Sequence, residues 1–239
     1  MEYHSYSISP EVFERFPGYV RGVVVCYGLS NGQSSAELVQ MLRDAEASVR
    51  ARGVAVEQIA EEPHIKAWRE AYRSFGAKPA EFRSSIEAMA RRALRGDELP
   101  AISALVDIGN IISLRHMLPA GSHAIDVLKG DIELKFATGQ EEFIPFGTND
   151  LEHPLPGEVV FVERDQVLTR RWTWRQANHT LTLPDSTAVE FNVDGLPPVT
   201  REEVEQACKE VADLVSCYCG GTSRIDYLTA ETPTVSLEP

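Results

Sequence analysis

The hydrophobic pattern of this chain changes its period near Ala124, and this change limits the possible folds more than any other feature. Between residues 35 and 95, apolar residues recur at the 3.6-residue spacing of helices. After Ala124, short runs rich in β-branched and aromatic residues are separated by turn residues. No internal repeat and no Pro/Ser-rich linker lies between the two parts. The pattern therefore predicts one α+β domain rather than two domains.

Two of the expected helices begin with a recognisable cap. Ser34 with Glu37, and Thr200 with Glu203, have the spacing of a capping box. Pro63 stands where the first turn of a helix tolerates proline. The expected helices cover residues 35–52, 64–75, 79–95 and a last stretch that begins at 200.

The expected strands begin with the apolar run 19–27, and the others follow Ala124. Their sequences are DIELKFA, EVVFVE, QVLTRRWTWR, HTLTL and TAVEFNVDG. An apolar segment after Pro100, AISALVDIGNIISL, is expected to be buried. We expect a single domain over 19–219, preceded by an extension at 1–18. The aperiodic residues 220–239 are expected to form a flexible tail.

The charge balance limits the partners that the chain can bind. Its 239 residues carry a formal net charge of −13, which argues against non-specific binding of DNA or of anionic membranes. No apolar run is long enough for a membrane span, and the first residues do not resemble a secretory signal. With only four cysteines, a reduced cytoplasmic protein is the expectation. The sequence makes no prediction of the oligomeric state.

Common signatures of metal and cofactor sites do not occur. The sequence has no G-x-G-x-x-G, P-loop, H-E-x-x-H or G-x-S-x-G pattern. Cys217 and Cys219 lack the second pair that a zinc site requires, and His116 and His123 are poorly spaced for a metal. We therefore expect neither a metal nor a cofactor.

One segment is more specific. It reads Val106-Asp107-Ile108-Gly109-Asn110 and continues, after a gap, with Pro119-Ala120-Gly121-Ser122-His123-Ala124-Ile125-Asp126. The segment resembles the editing domain of the phenylalanyl-tRNA synthetase beta chain, which carries V-D-x-x-N followed by P-L-H-A-F-D. Asn110, His123 and Asp126 match the Asn, the His and the final Asp of those motifs.

The flanks extend this resemblance over most of Tyr19 to Cys217. They contribute a helix that begins near Phe82 and a strand that begins at Leu168. No aminoacylation or anticodon-binding module is visible, so the chain is similar to freestanding relatives of the domain. The resemblance implies a layered β/β/α sandwich with mixed sheets and helices on one side. It also implies hydrolysis of the ester of a mischarged aminoacyl-tRNA, in trans.

The resemblance implies that Asn110 and His123 are catalytic, with Gly121 and Ser122 beside them in the substrate site. An aminoacyl ester is already activated, so a positioned water is enough and no covalent intermediate is required. An amide such as that of Asn110 can donate to a substrate oxygen and accept from a water. His123 can bind the ester or relay a proton near neutral pH.

Specificity is assigned to Glu190, which matches a strand carboxylate that reads the amino-acid side chain in the family. A carboxylate here can pair with a hydroxyl, an amine or a guanidinium, so a non-cognate or analogue amino acid is expected, and an arginine-like one is a candidate. The chain departs from the synthetase between Arg170 and Thr180, where it has Arg and Trp in place of glycines.

The acceptor end of an aminoacyl-tRNA is the expected partner. Interleaved Arg and Trp suit stacking on exposed bases, while the helical arginines can contact phosphates. The candidate RNA contacts are Arg91, Arg92, Arg170, Arg171, Trp172 and Arg175.

Structural readings of the same residues remain open. Asn110 can cap a turn, His123 can be a buried structural residue, and Glu190 can lie on a solvated face. Arg170 and its neighbours can form a surface ladder, and Trp172 can belong to the core. The sequence therefore leaves two functions: a deacylase, or a non-catalytic tRNA or amino-acid binding module that kept the fold.

Overall fold

A computed structural model describes residues 4–239 of the chain. The helices are α1 (Pro10–Arg15), α2 (Ala36–Ala51), α3 (Pro63–Ser74), α4 (Ser85–Leu94), α5 (Ala104–His116) and α6 (Arg201–Tyr218). The strands are β1 (Ser5–Ile8), β2 (Val20–Tyr27), β3 (Ala120–Ala124), β4 (Ile132–Phe136), β5 (Val159–Glu163), β6 (Gln166–Arg170), β7 (Arg175–Gln176), β8 (Ala188–Gly195), β9 (Thr222–Leu228) and β10 (Thr234–Ser236). None of the helices in this part of the chain is long and apolar enough to cross a membrane.

The strands form two sheets. One has four antiparallel strands in the order β3-β8-β2-β9, and the other has six in the order β10-β1-β4-β5-β6-β7. The six-stranded sheet is mixed, because β1 runs parallel to β4 and antiparallel to β10. The predicted α+β fold class is confirmed.

The four-stranded sheet is the middle layer of the fold. Every residue of β8 is buried, as expected for a strand covered on both faces. One face carries Gly22 and Phe191, which lie against α6 and α5. The opposite face carries Arg21, whose guanidinium lies over the Phe161 ring of the six-stranded sheet. Helix α1 packs against β4 of that sheet.

Helix α5 supports β3 from behind. The segment is apolar around most of its circumference because α2, α6 and β3 all pack on it, which explains why its pattern predicted burial but no helical period. Gly109 lets it approach closely: a Cβ there would stand 3.7 Å from the Phe191 ring and 3.8 Å from the Gly121 Cα. This approach brings α5 beside the edge strand of the sheet.

Both chain ends belong to the fold, contrary to the expected extension and tail. Strand β1 lies between β4 and β10, with Tyr6 and Ile8 fully buried. Strand β9 pairs with β2 over its whole length, and β10 closes the six-stranded sheet. The sequence pattern did not predict β9 and β10, because they are half-exposed edge strands without an apolar run. Residues 1–3 lie outside the described range.

Several boundaries differ from the sequence pattern. The cap of α2 is Ser35, whose hydroxyl accepts from the Leu38 N–H, while the Ser34 hydroxyl donates to Asp107 at 2.5 Å. Helix α4 begins at Ser85, six residues later than expected, and Ser84 caps it. The HTLTL segment is a loop beside β3, with Ala124 donating to the Thr180 carbonyl. The capping box at Thr200 is confirmed.

Candidate functional site

Two adjoining cavities meet at the outer edge of β3. They share the strand residues Ala120, Gly121 and Ser122 on one side and the segment Trp174 to Gln176 on the other. We call them the inner cavity, between the two sheets, and the outer cavity, between α5, β3 and the 181–183 loop. Because β3 is at the edge of its sheet, its backbone is accessible from both.

The inner cavity is small and polar. Its volume is about 150 Å³, below the roughly 300–1,000 Å³ of sites that hold drug-sized ligands. Asn192 and Asp194 of β8 and Arg21 of β2 form part of its wall, facing Phe161 and Thr169 of the other sheet. Such a space suits an amino-acid side chain and is too small for a nucleoside.

His123 lies on the wall of the inner cavity and is almost completely buried. Its Nδ1 is 2.6 Å from the Thr180 hydroxyl and its Nε2 is 3.1 Å from the Thr169 hydroxyl. Burial, with the nearby Arg21 charge, lowers the pKa of His123 to about 3. The imidazole is therefore neutral at physiological pH, so a role as a proton relay titrating near neutrality is not supported.

Glu190 stands directly opposite His123 in the pairing of β3 with β8. It is fully buried, which excludes the solvated-face reading. Burial raises the pKa of Glu190 to about 8, against the opposing effects of Arg21 and of the hydrogen bond from Asn192. The Asn192 amide donates to the Glu190 carboxyl at 3.1 Å, and Asn192 itself reaches the cavity. Glu190 thus contacts this space through Asn192 rather than lining it.

A buried polar network surrounds this end of the cavity. Arg21 donates to both oxygens of Asp194, at 2.7 and 2.9 Å. Asp194 also accepts from the Tyr19 hydroxyl, and the Tyr6 hydroxyl accepts from Arg21. Both tyrosine hydroxyls have pKa values raised well above normal, first of all by burial. The bidentate pair fixes the Arg21 guanidinium and neutralises it.

The sequence reading missed Arg21, Asn192 and Asp194 as site residues. A signal for them exists: Glu190, Asn192 and Asp194 recur every second residue in an otherwise apolar strand, so they share one face. Arg21 is a lone charge within the apolar run of β2. A row of polar residues on a strand buried on both faces indicates an internal polar site.

The outer cavity is larger and more apolar. Its volume is about 420 Å³, and Asn110 of α5 is part of its wall. Three apolar side chains in its lining remain unusually exposed: Ile102 at 58%, Phe146 at 60% and Leu183 at 50%. Asn110 and His123 therefore line different cavities, on either side of the Gly121–Ser122 backbone that both cavities share. Exposed apolar side chains around a cavity mouth are typical of a ligand site.

Most of the expected RNA-binding side chains between 170 and 175 are buried. Trp172 packs edge-on against Tyr19 and Trp68, at ring distances of 4.8 and 5.0 Å, so it cannot stack on a base. Arg170 donates to Glu158 at 2.8 and 2.9 Å and is held away from solvent. Trp172 therefore belongs to the core, while the buried Arg170 is not part of a surface ladder.

The remaining arginines differ in their exposure and in their contacts. The guanidinium of Arg171 is buried against the Phe82 and Trp174 rings, 3.6 and 4.5 Å from their centroids. Arg91 donates to Glu87 at 2.9 Å and to the Val56 carbonyl at 3.0 Å. Arg92 is exposed, and Arg175 lies in the lining of both cavities. Of the six candidates, Arg175 is the one placed where a ligand of either cavity would meet it.

The turn that carries Trp174 to the cavities is unusual. The strand expected over QVLTRRWTWR ends at Arg170, and Arg171 and Trp172 follow with φ of 47° and 63°. Two consecutive non-glycine residues in the left-handed region cost energy and persist only where surrounding contacts hold them. Here the buried packing of both side chains provides those contacts.

No group of three metal-ligating side chains occurs between residues 4 and 239.

The fold is an α+β domain with a polar cavity between its two sheets and a second cavity at one sheet edge. Residues 67–220 match the family model of the B3/4 domain. The chain belongs to this family, which is that of the editing domain of the phenylalanyl-tRNA synthetase beta subunit.

Comparison with solved structures finds an N-terminal fragment of the phenylalanyl-tRNA synthetase beta subunit from Pyrococcus horikoshii. The TM-score is 0.45 at 13% sequence identity, over 92% of this chain and 49% of that fragment. This chain therefore spans about half the length of the fragment. A search of curated proteins finds no match.

Proposed function

We propose that this protein is a trans-acting aminoacyl-tRNA deacylase, which hydrolyses the ester of a mischarged tRNA. The observation that carries the proposal is the meeting of a small polar cavity and a larger apolar one at the edge of β3. An aminoacyl-tRNA end has the same two parts, a small amino acid and a larger terminal adenosine, joined by the ester. Membership of the B3/4 family supports this reading.

The outer cavity is assigned to the terminal adenosine of the acceptor end. Exposed Phe146 and the Trp174 ring offer flat apolar surface to a base, which is a common mode of single-stranded RNA binding. Arg175 lies at the junction of the cavities and can meet ribose or phosphate oxygens. This is a local contact, compatible with a chain of net charge −13.

The inner cavity is assigned to the amino-acid side chain. Arg21 and Asp194 neutralise each other, and Glu190 is largely protonated below its pKa of about 8. The three groups together are therefore close to neutral when the cavity is empty. Glu190 and Asn192 can exchange hydrogen bonds with a hydroxyl. A cationic side chain would instead favour the ionised carboxylate, so an arginine-like amino acid remains a candidate.

The chemistry is assigned to Asn110 and His123 acting on a water and the ester. We assign Asn110 to the ribose end of the substrate, because it lines the outer cavity. His123 is neutral and held by two threonine hydroxyls, so it orients a water or the ester by hydrogen bonding rather than by charge. An activated ester requires no stronger nucleophile.

The test is release of amino acid from a panel of charged tRNAs, which includes non-cognate and basic amino acids. Asn110→Ala and His123→Ala are expected to lower the rate by about 10²-fold or more, the size seen when one positioned polar group is removed. Gln206→Ala, at an exposed amide on α6, is the matched control. No release from any tRNA, with measurable binding, would instead establish a non-catalytic binding module.

A cytoplasmic location stays a prediction.

A further inference from the structure

The edge of β3 presents backbone groups directly to the junction of the two cavities. In an antiparallel pair, alternate residues point their N–H and C=O groups toward the partner strand. The backbone N–H of Asp194 donates to the Pro119 carbonyl, and the backbone N–H of Ile125 donates to the Ala188 carbonyl, both at 3.0 Å. The odd-numbered residues therefore face β8. Ala120, Ser122 and Ala124 face away from it.

Most polar groups along this outward edge have partners. The Ala120 N–H donates to the Ser113 hydroxyl at 3.0 Å, and the Ala124 N–H donates to the Thr180 carbonyl at 3.0 Å. The Ser122 carbonyl accepts from the Gln176 side-chain amide at 3.2 Å. The Ser122 N–H differs: it has no acceptor within residues 4–239. Ser122 lies in the lining of both cavities, and its N–H is on the edge of β3 that faces away from β8.

We propose that the Ser122 backbone N–H stabilises the oxyanion that forms when the ester is attacked. This inference rests on the proposed deacylase function. With the amino acid in the inner cavity and the adenosine in the outer one, the ester lies at the Ser122 backbone. The donors on either side of it are tied to Ser113 and Thr180, so the N–H is fixed in direction before the reaction. Fixed donors of this kind stabilise developing charge most effectively.

The step balances without any further reactant. A water oxygen bonds to the ester carbonyl carbon, and the electron pair of the C=O bond moves to the carbonyl oxygen. That oxygen, now negative, accepts from the Ser122 N–H. The pair then returns, the bond between carbon and ribose oxygen breaks, and the ribose oxygen takes the proton that the water gives up. The products are a free amino acid and the tRNA hydroxyl.

A direct test uses NMR of the ¹⁵N-labelled full chain with a phosphonate analogue of an aminoacyl-adenosine ester. Its charged tetrahedral oxygen mimics the oxyanion. The Ser122 amide proton is expected to shift downfield more than those of Gly121 and His123, whose N–H groups already face β8. Absence of that shift on binding, or absence of binding, would overturn the inference. This readout does not depend on turnover, so it is separate from failure of the deacylation assay.

A kinetic test compares Ser122→Pro, which deletes the N–H, with Ser122→Ala, which keeps it. Proline is compatible with an outward-facing N–H on an edge strand. Ser122→Pro is expected to have a kcat about 10²-fold below that of Ser122→Ala, with a smaller change in KM. Equal kcat values in two folded variants would contradict the proposal. If Ser122→Pro does not fold, the NMR measurement on the native chain decides.

Discussion

At the scale of single residues, the site contains two ionisable groups that burial holds uncharged. His123 has its pKa lowered to about 3, and Glu190 has its pKa raised to about 8, with desolvation the first cause in both. Their contributions to stability have opposite dependence on pH. That of His123 is present above its unfolded pKa of about 6.5 and is lost as the pH falls toward 3. That of Glu190 is present at low pH and is lost as the pH rises.

Replacement of Glu190 by glutamine is expected to remove the loss of stability that Glu190 causes as the pH rises. In the native chain, stability from Glu190 is full below its unfolded pKa and is lost as the pH rises from about 4.5 to about 8. The free energy of unfolding of Glu190→Gln, relative to that of the native chain, should therefore increase by about 3 kcal/mol as the pH is raised from 5 to 8. Urea unfolding at both pH values measures it. Glu202→Gln, at an exposed position, is the control, and an equal response of both variants would contradict the assignment.

At the scale of elements, local chemistry predicts a boundary well where the partners are close in sequence. The capping box of α6 follows from Thr200 and Glu203 alone, and both of its hydrogen bonds form. Ser34 and Glu37 have the same spacing, but Asp107 binds the Ser34 hydroxyl and Ser35 caps the helix instead. Asp107 is far away in sequence, so no local pattern could show this competition.

The packing of β2 on α6 gives a prediction at the same scale. A Cβ at Gly22 would stand 2.1 Å from the Cys208 sulfur, a distance that requires the helix or the strand to move. Gly22→Ala is expected to destabilise the fold by about 1–3 kcal/mol, because well-packed cores resist added volume. Thermal unfolding measures the loss.

Two further variants separate this contact from general effects of alanine. Gly32→Ala is the matched control, because nothing lies within 4 Å of a Cβ there. Cys208→Ala removes the sulfur and should restore much of the stability lost in Gly22→Ala. If Gly22→Ala were as stable as Gly32→Ala, the close packing of β2 on α6 would be wrong.

At the scale of the whole molecule, the two sheets depend on strands from opposite ends of the chain. Strand β9 forms the edge beside β2, and β10 lies beside β1. The Arg224 guanidinium donates to the Ser236 and Glu238 carbonyls, which ties β9 to the last residues. The expected flexible tail is therefore an integral part of both sheets.

Removal of residues 222–239 is accordingly expected to prevent stable folding. The truncation exposes one edge of β2 and leaves β1 without its antiparallel partner. Circular dichroism and thermal unfolding should show loss of the cooperative transition. Removal of only the exposed Pro239 serves as the control and should cost little. A truncated chain with an unchanged transition would restore the tail interpretation.

The sequence by itself determined the α+β class, the long strands β2 and β8, most helices and the motif with Asn110 and His123. The class, the strands and the helices depend on periodicity and on caps, which act between residues a few positions apart, whereas the motif was found by its resemblance to the editing-domain family. Only the tertiary structure decided that Trp172 is core and that Arg21 and Asp194 form a pair at the site. The pair joins residues from opposite ends of the chain across neighbouring strands. Sheet pairing over such separations is set by the packing of the whole domain, so no local pattern encodes it.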